Sequence, residues 1–337
     1  QARHDEFGIF ASRASLVLMA VGQMLFVRVR PEQSGAACVL PSCGHHFARW
    51  LLFFGPWLSL SAPIIAAGSS LPQRTSRSRF PSFHQLHKQL FNIEVDDSDN
   101  STHVVLSFSN PYGLKPNFNS YPHSNLLPEF FTNILDVVAP EGGPRFIVEV
   151  GSLHGHSAIQ MATVLDYLGL NDVPILCIDP FTGDTNMWAS YQSDPAVSKW
   201  VNIRDGRMTV FDQFMANVQF ALSRTLTTHH ILPFQATSTV GARWLEQSGY
   251  TPDIIFLDSA HEEHETFLEL SLYFNILTPG GILFGDDYGW PAVRHDVHRF
   301  VDQHNAEHLV DNPIDLQIAR AKAGVSNVLW IMRKAKT

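Results

Sequence analysis

The sequence predicts a doubly wound α/β domain over residues 145–337, with a mostly parallel seven-stranded sheet and an antiparallel closing hairpin. From Phe146 onward, short apolar runs alternate with amphipathic segments, which is the pattern of strand and helix units in a parallel sheet. The predicted strands are almost continuously apolar, as expected when helices cover both faces of a sheet. Acidic residues directly follow several of these runs, and such positions meet at one edge of a parallel sheet.

The spacing of apolar residues assigns the individual elements. Seven apolar runs are predicted to be strands: Arg145–Val150, Ile175–Asp179, Ile231–Gln235, Asp253–Asp258, Gly281–Gly285, Leu316–Arg320 and Asn327–Arg333. Helical periodicity predicts the helices Ala158–Leu168, Val210–Leu222, Val240–Gln247, Glu262–Leu277 and Ala292–Gln303. Residues 81–144 are interpreted as an extension that packs on the catalytic domain, with a helix at Thr132–Val138 covering the sheet edge.

Residues 1–80 are interpreted as a leader with a linker at its end. The uncharged stretch Trp50–Gly68 has a length that suits a marginal membrane anchor or a signal-peptide core. Pro72–Pro81 is rich in Ser, Arg and Pro, which is typical of a linker. Together with the glycosylation sequon at Asn100, these features favour a secretory or membrane-anchored location, and an organellar or cytoplasmic location stays open.

Charge excludes one class of partner. The 337 residues carry a formal net charge of -9, and Lys and Arg do not cluster after Arg79. Because binding to a phosphate backbone needs clustered cations, nucleic acid is not an expected partner. The expected partner is a small or neutral molecule, and the oligomeric state stays open.

A glycine-containing turn follows the first predicted strand. It runs Glu149-Val150-Gly151-Ser152-Leu153-His154-Gly155-His156-Ser157 and leads directly into a helix. Glycines allow a tight turn and a close approach to a ligand, while the start of the helix offers unpaired N–H groups. The spacing Gly-x-x-x-Gly differs from the Gly-x-Gly-x-x-Gly of dinucleotide folds, which disfavours a nicotinamide cofactor. The turn therefore predicts a different cofactor, with the Glu149 carboxylate facing a cationic group.

Asp179 ends the second predicted strand. In an open α/β sheet this edge is the ligand crevice, and a carboxylate there can accept hydrogen bonds from two ribose hydroxyls. Asp179 is therefore a second candidate for cofactor binding.

Further carboxylates follow the fourth and fifth strands. Asp258 follows one strand and the pair Asp286 and Asp287 follows its expected neighbour, so the three carboxylates are predicted to converge. Like charges held this close need a cation, a shared proton or water, and a hard divalent ion such as Mg²⁺ prefers oxygen ligands. His261 lies three residues beyond Asp258 and is a candidate ligand or general base.

These motifs resemble a known family. The strings VEVGSLHGHSA, CIDPFTGD, IFLDSAHEEHE and LTPGGILFGDDYGWPAVRHDVHRFV look like the class I S-adenosylmethionine (SAM) dependent methyltransferases of the small-molecule and sugar O-methyltransferase type. The resemblance spans roughly Phe146 to Val301 and implies a Rossmann-like sheet. One departure is Ser259-Ala260, where relatives commonly carry Gly followed by Asp or Ser.

The resemblance also implies roles for individual residues. Glu149, Gly151, Ser152 and Gly155 would contact the methionine moiety of SAM, with Ser157 in the same turn, and Asp179 would contact the ribose. Asp258, Asp286 and Asp287 match the positions of the family's metal site, and His261 matches its candidate base.

The resulting hypothesis is a metal-assisted O-methyltransferase that acts on a sugar or phenolic hydroxyl. The long connection Phe181–Asp205 contains Trp188, Tyr191 and Trp200, which either cover the acceptor or pack against the sheet. Two alternatives stay open at this point: a metal-dependent hydroxylase or oxygenase, and a non-catalytic module that keeps the SAM-binding fold.

Overall fold

The computed structural model describes residues 27–28, 80–91, 109–118, 126, 128–138, 142–225, 231–259, 261–307, 313–320 and 328–336. All of these residues belong to one compact unit of the chain. The predicted anchor or signal segment Trp50–Gly68, the sequon and all but the last two residues of the predicted linker lie outside the described residues. Within the described part of the chain, no helix is both long and apolar enough to cross a membrane.

The main sheet contains eight strands among the described residues. In chain order, the strands of the chain are β1 Val27–Arg28, β2 Ile147–Val150, β3 Ile175–Asp179, β4 Ile203–Arg204, β5 Arg207–Met208, β6 Ile231–Gln235, β7 Ile254–Leu257, β8 Ile282–Gly285, β9 Leu316–Arg320 and β10 Val328–Arg333. The order across the main sheet is β1-β9-β10-β8-β7-β2-β3-β6, and β4 and β5 form a separate two-stranded sheet. Strands β2, β3, β6, β7 and β8 pair in parallel, whereas β9 and β10 pair antiparallel. The predicted mostly parallel fold with its closing hairpin is confirmed, and β1 adds a two-residue strand beside β9.

Helices connect the strands. They are α1 Phe83–Phe91, α2 Pro128–Val138, α3 His156–Tyr167, α4 Thr185–Ser190, α5 Pro195–Trp200, α6 Val210–Thr225, α7 Ser238–Ser248, α8 Glu265–Ile276 and α9 Pro291–Glu307. Helix α2 begins at Pro128, four residues before the predicted start, because proline suits the first helical position, where its N–H is not needed. Helix α8 begins at Glu265, after the predicted start, because His264 adopts a left-handed φ of 76°.

The central strands are buried along their whole length. All residues of β2, β3, β7 and β8 are buried, which agrees with their apolar sequences. Strand β2 pairs with β7 through Val150 and Leu257, and β7 pairs with β8 through Leu257 and Gly285. Because these three strands end in register, the residues that follow each of them emerge side by side at one edge of the sheet.

Candidate cofactor and cation site

The turn after β2 touches the turn after β7. Gly151 has a φ of +85°, and a Cβ atom built on it would lie 2.0 Å from the backbone oxygen of Asp258. Asp258 N also donates to Val150 O at 2.9 Å. A side chain at position 151 is therefore excluded both by the backbone conformation and by the neighbouring strand.

The Glu149 carboxylate lies beneath this turn and is completely buried. Ser157 Oγ donates to Glu149 Oε1, while Glu149 Oε2 and Ser152 Oγ make no hydrogen bond in the described part of the chain. Burial raises the pKa of Glu149, although the hydroxyls of Ser152 and Ser157 oppose the rise. Buried polar atoms normally have partners, so these two oxygens form a cradle that suits a polar ligand.

Gly155 completes the turn and stands just before α3. It has a φ of +77°, and a Cβ atom there would lie 2.9 Å from the Phe214 ring. Gly155 N donates to Ser152 O, which closes the turn tightly. The sequence Gly151–Gly155 thus folds as the close-approach turn that the glycines predict.

Asp179 holds the same turn from the neighbouring strand. Its Oδ2 accepts from Leu153 N at 2.8 Å, and its Oδ1 accepts from Phe181 N at 2.5 Å. Burial raises the pKa of Asp179, and backbone N–H groups, with that of Leu153 foremost, oppose the rise. Each carboxylate oxygen keeps a further lone pair, so a ribose hydroxyl can still bind.

Replacement of Asp179 by Asn is expected to weaken binding of S-adenosylhomocysteine (SAH) by about tenfold or more. Both carboxylate oxygens accept from backbone N–H groups, and the amide nitrogen of asparagine would place a donor against one of these donors. Isothermal titration of the purified variant measures the effect. Asp172→Asn, at an exposed position ahead of β3, is the matched control and should bind SAH like the wild type. Equal SAH affinity of Asp179→Asn and the wild type would contradict the assignment.

Three groups come together at the ends of β7 and β8. Asp258, His261 and Asp287 each offer one potential ligand atom, and these three atoms lie within 4.8 Å of one another. His261 Nε2 lies 2.6 Å from Asp287 Oδ2. These side chains line a small cavity of about 10 Å³ that also includes Asp286 and Glu269. Two carboxylates and an imidazole form a donor set that fits a divalent cation.

Asp286 shapes the turn that follows β8. Its Oδ1 accepts from Asp287 N at 2.7 Å, and its backbone oxygen accepts from Trp330 Nε1 at 3.1 Å. A Cβ atom at Gly285 would lie 2.2 Å from the Trp330 ring, so the closing hairpin packs directly under this turn. The turn leaves Asp287 with a φ of 57°, and it is Asp287 that meets His261.

Electrostatics within the cluster follow from burial and proximity. Burial and then repulsion from Asp286 and Asp287 raise the pKa of Asp258 well above its usual range. For His261, burial lowers the pKa, but the hydrogen bond and negative charge of Asp287 outweigh it and the pKa is raised. The site therefore concentrates negative charge in a small space, which favours a cation there.

The connection Phe181–Asp205 divides into two parts. Trp200 is buried, and the centroid of its ring lies 5.7 Å from that of the His154 ring in the glycine turn. This end of the connection therefore packs against the glycine turn. Trp188 is 46% exposed, and its Nε1 donates to Thr182 O. The negative charge of Asp184, at the start of α4, acts on His261, so this part of the connection lies on the side of the cation site.

Trp290 and Glu269 belong to the site, but the sequence analysis did not predict them as site residues. The Trp290 ring packs against His261 with centroids 5.2 Å apart while 46% of the side chain stays exposed. Glu269 is buried in α8 and accepts a hydrogen bond from Ser259. A signal existed for Glu269, since a carboxylate next to Leu270 on the apolar face of a helix is unusual.

Comparisons with known proteins give a family match and several similar structures. Residues 148–288 match a family model described as a methyltransferase domain. An O-methyltransferase from Bacillus cereus in complex with SAH is 13% identical, with coverage of 63% of this chain and 84% of that chain and a TM-score of 0.38. The O-methyltransferase TomG from Streptomyces achromogenes in complex with SAM is 13% identical, with coverage of 63% and 82% and a TM-score of 0.38. The O-methyltransferase NovP is 16% identical, with coverage of 62% and 79% and a TM-score of 0.39. A search of curated proteins found no match.

The matched residues include the glycine turn and the strands from β3 to β8. Residues 148–288 match this methyltransferase-domain model, in agreement with the resemblance of the motifs to SAM-dependent methyltransferases.

Proposed function

We propose that this domain transfers the methyl group of SAM to a hydroxyl oxygen of a small sugar or phenolic acceptor, assisted by a divalent cation, with Mg²⁺ the expected ion. The observation that carries the proposal is the cluster of Asp258, His261 and Asp287, whose ligand atoms lie within 4.8 Å of one another. The cluster stands next to the glycine turn, because Gly151 touches Asp258. Cofactor and acceptor oxygen would therefore meet at one edge of the sheet.

The cofactor pocket fits a ligand that carries a positive charge. Glu149 Oε2 and Ser152 Oγ are buried oxygens without hydrogen-bond partners in the described residues, and they belong to the segment that contains Gly151. The ammonium group of the methionine moiety would satisfy such acceptors. Gly155 and Ser157 support this arrangement, Gly155 by shaping the turn and Ser157 by holding the Glu149 carboxylate.

The cation would be held by Asp258 and Asp287, with Asp286 in the wall of the same cavity as a further ligand. When bound, a divalent cation lowers the pKa of a coordinated hydroxyl and makes its oxygen a better nucleophile. The two carboxylates orient the acceptor by fixing the ion, and positioning supplies much of the acceleration in an in-line methyl transfer.

His261 is proposed as the general base. Its Nε2 lies 2.6 Å from Asp287 Oδ2, which suits a tautomer in which Nε2–H donates to the carboxylate and Nδ1 accepts the acceptor's proton. The partly exposed Trp290 ring, tilted by 36° against His261, provides a flat surface that suits the ring of a sugar or phenol.

The test uses the full chain with radiolabelled SAM and a panel of sugars and phenols. We expect label transfer that is lost with EDTA and restored by Mg²⁺. His261→Gln should lower kcat by about a hundredfold or more, while the dissociation constant for SAM stays unchanged. His264→Asn, three residues further along, is the matched control because asparagine tolerates the left-handed conformation found there. SAM binding without transfer to any acceptor would indicate a non-catalytic module instead.

A further inference from the structure

We propose that Ser259 and Glu269 form a positioning pair that sets the turn after β7 and thereby aligns the cation site with the cofactor turn. The inference rests on the proposed function, since it concerns the placement of Asp258 within that site. Neither residue is proposed to touch the reacting atoms.

The pair is joined by a short hydrogen bond in a buried setting. Ser259 Oγ donates to Glu269 Oε2 at 2.7 Å, and Glu269 is only 4% exposed. The bond joins the second residue after β7 to the second turn of α8, across ten positions of the chain. A hydrogen bond to a buried carboxylate is among the stronger ones in proteins, because an unpaired carboxylate there would be costly.

Ser259 stands where both halves of the site meet. Its backbone follows Asp258 directly, and its Cα would lie 2.6 Å from a Cβ atom built on Gly151. A shift of Ser259 would therefore move the Asp258 carboxylate and press on the glycine turn at the same time. The tether to α8 restrains this residue through its side chain, while its backbone lies against the glycine turn.

Glu269 is itself fixed by more than one contact. Its pKa is raised by burial, and the hydroxyls of Ser238 and Ser259 oppose the rise, so α7 also contributes to its surroundings. Glu269 lines the cavity that contains Asp258 and His261. The Ser259 hydroxyl provides the group that makes the tether possible.

The experiment measures dissociation constants for SAH and for Mn²⁺ as separate readouts, together with thermal stability, in the full chain. We expect Ser259→Ala and Glu269→Ala each to weaken binding of both probes by about tenfold. Glu269→Gln should stay within about threefold of the wild type, because the amide oxygen still accepts from Ser259. The double variant Ser259→Ala with Glu269→Ala should be no weaker than the weaker single variant, since both changes remove one interaction.

Two control variants lie on the same helix. Ser271→Ala removes a hydroxyl that donates to Phe267 O, and Glu265→Gln removes a carboxylate in the exposed first turn, so both should bind SAH and Mn²⁺ like the wild type. Wild-type affinities in the folded single variants, or additive losses in the double variant, would overturn the positioning role. If the wild type binds SAH but not Mn²⁺, cation assistance in the proposed function fails, and the SAH measurements still decide the role of the pair.

Discussion

Gly151→Ala is expected to abolish SAH binding and to lower the free energy of unfolding by at least about 3 kcal/mol. The methyl group would have to occupy the space of the Asp258 backbone oxygen, 2.0 Å away, and no side-chain rotation can relieve a collision with backbone. The left-handed φ of +85° adds a cost of about 1 kcal/mol for any residue with a Cβ atom. Urea unfolding and titration with SAH measure the two effects.

Gly169→Ala separates these two causes. Gly169 has a φ of +72°, but nothing lies within 4 Å of a Cβ atom built on it. Its substitution should therefore cost about 1 kcal/mol and leave SAH affinity unchanged. Similar losses of stability in both variants, with SAH binding retained by Gly151→Ala, would show that the turn after β2 is not held against β7 as described.

The edge of the sheet that carries the site could be predicted because the strands are buried apolar runs of similar length. Parallel strands that pair in register end together, so Asp258 and Asp286 had to emerge beside each other once β7 and β8 were neighbours. The same logic placed Gly151 and Asp179 next to each other across β2 and β3. Long apolar runs are a strong signal, because strands covered on both faces of a parallel sheet need apolar side chains at almost every position.

The arrangement of side chains within that edge could not be predicted in the same way. Which of the two adjacent carboxylates meets His261 depends on the left-handed turn at Asp287 and on Trp330, which holds the Asp286 backbone from the far end of the chain. The start of α8 similarly depends on the conformation of His264. Both are tertiary effects that local sequence patterns do not encode.

Aromatic residues were the most ambiguous part of the sequence. Trp188 and Trp200 belong to the same connection, yet one is half exposed and the other is buried against the glycine turn. An aromatic residue in a loop has the same sequence signature whether it covers a ligand or packs against the core. Trp200 also packs against His154, and the burial of this histidine lowers its pKa.

Stability is expected to fall in mild acid because of His154. The side chain is 3% exposed, packs against Trp200, and has no hydrogen-bond partner at Nδ1 in the described part of the chain. Burial, and then the nearby His156, lower the pKa of His154 from its ordinary value of 6.5 to about 3. Between these values the unfolded chain binds a proton that the native state does not. The contribution of His154 is therefore fully present above pH 6.5 and is lost progressively as the pH falls toward 3.

The loss should reach about 2 kcal/mol at pH 5 relative to pH 7.5. His154→Leu removes the titrating group and keeps an apolar contact with Trp200. As the pH falls from 7.5 to 5, the free energy of unfolding of the variant should therefore rise by this amount relative to that of the wild type. Leu165→Ala, a buried substitution without an ionisable group, is the control and should show a constant difference from the wild type. Urea unfolding at several pH values measures both, and a constant difference for His154→Leu would contradict a buried, neutral histidine. If the shift is found, the His154 imidazole is buried and neutral in the native state where the glycine turn packs against Trp200.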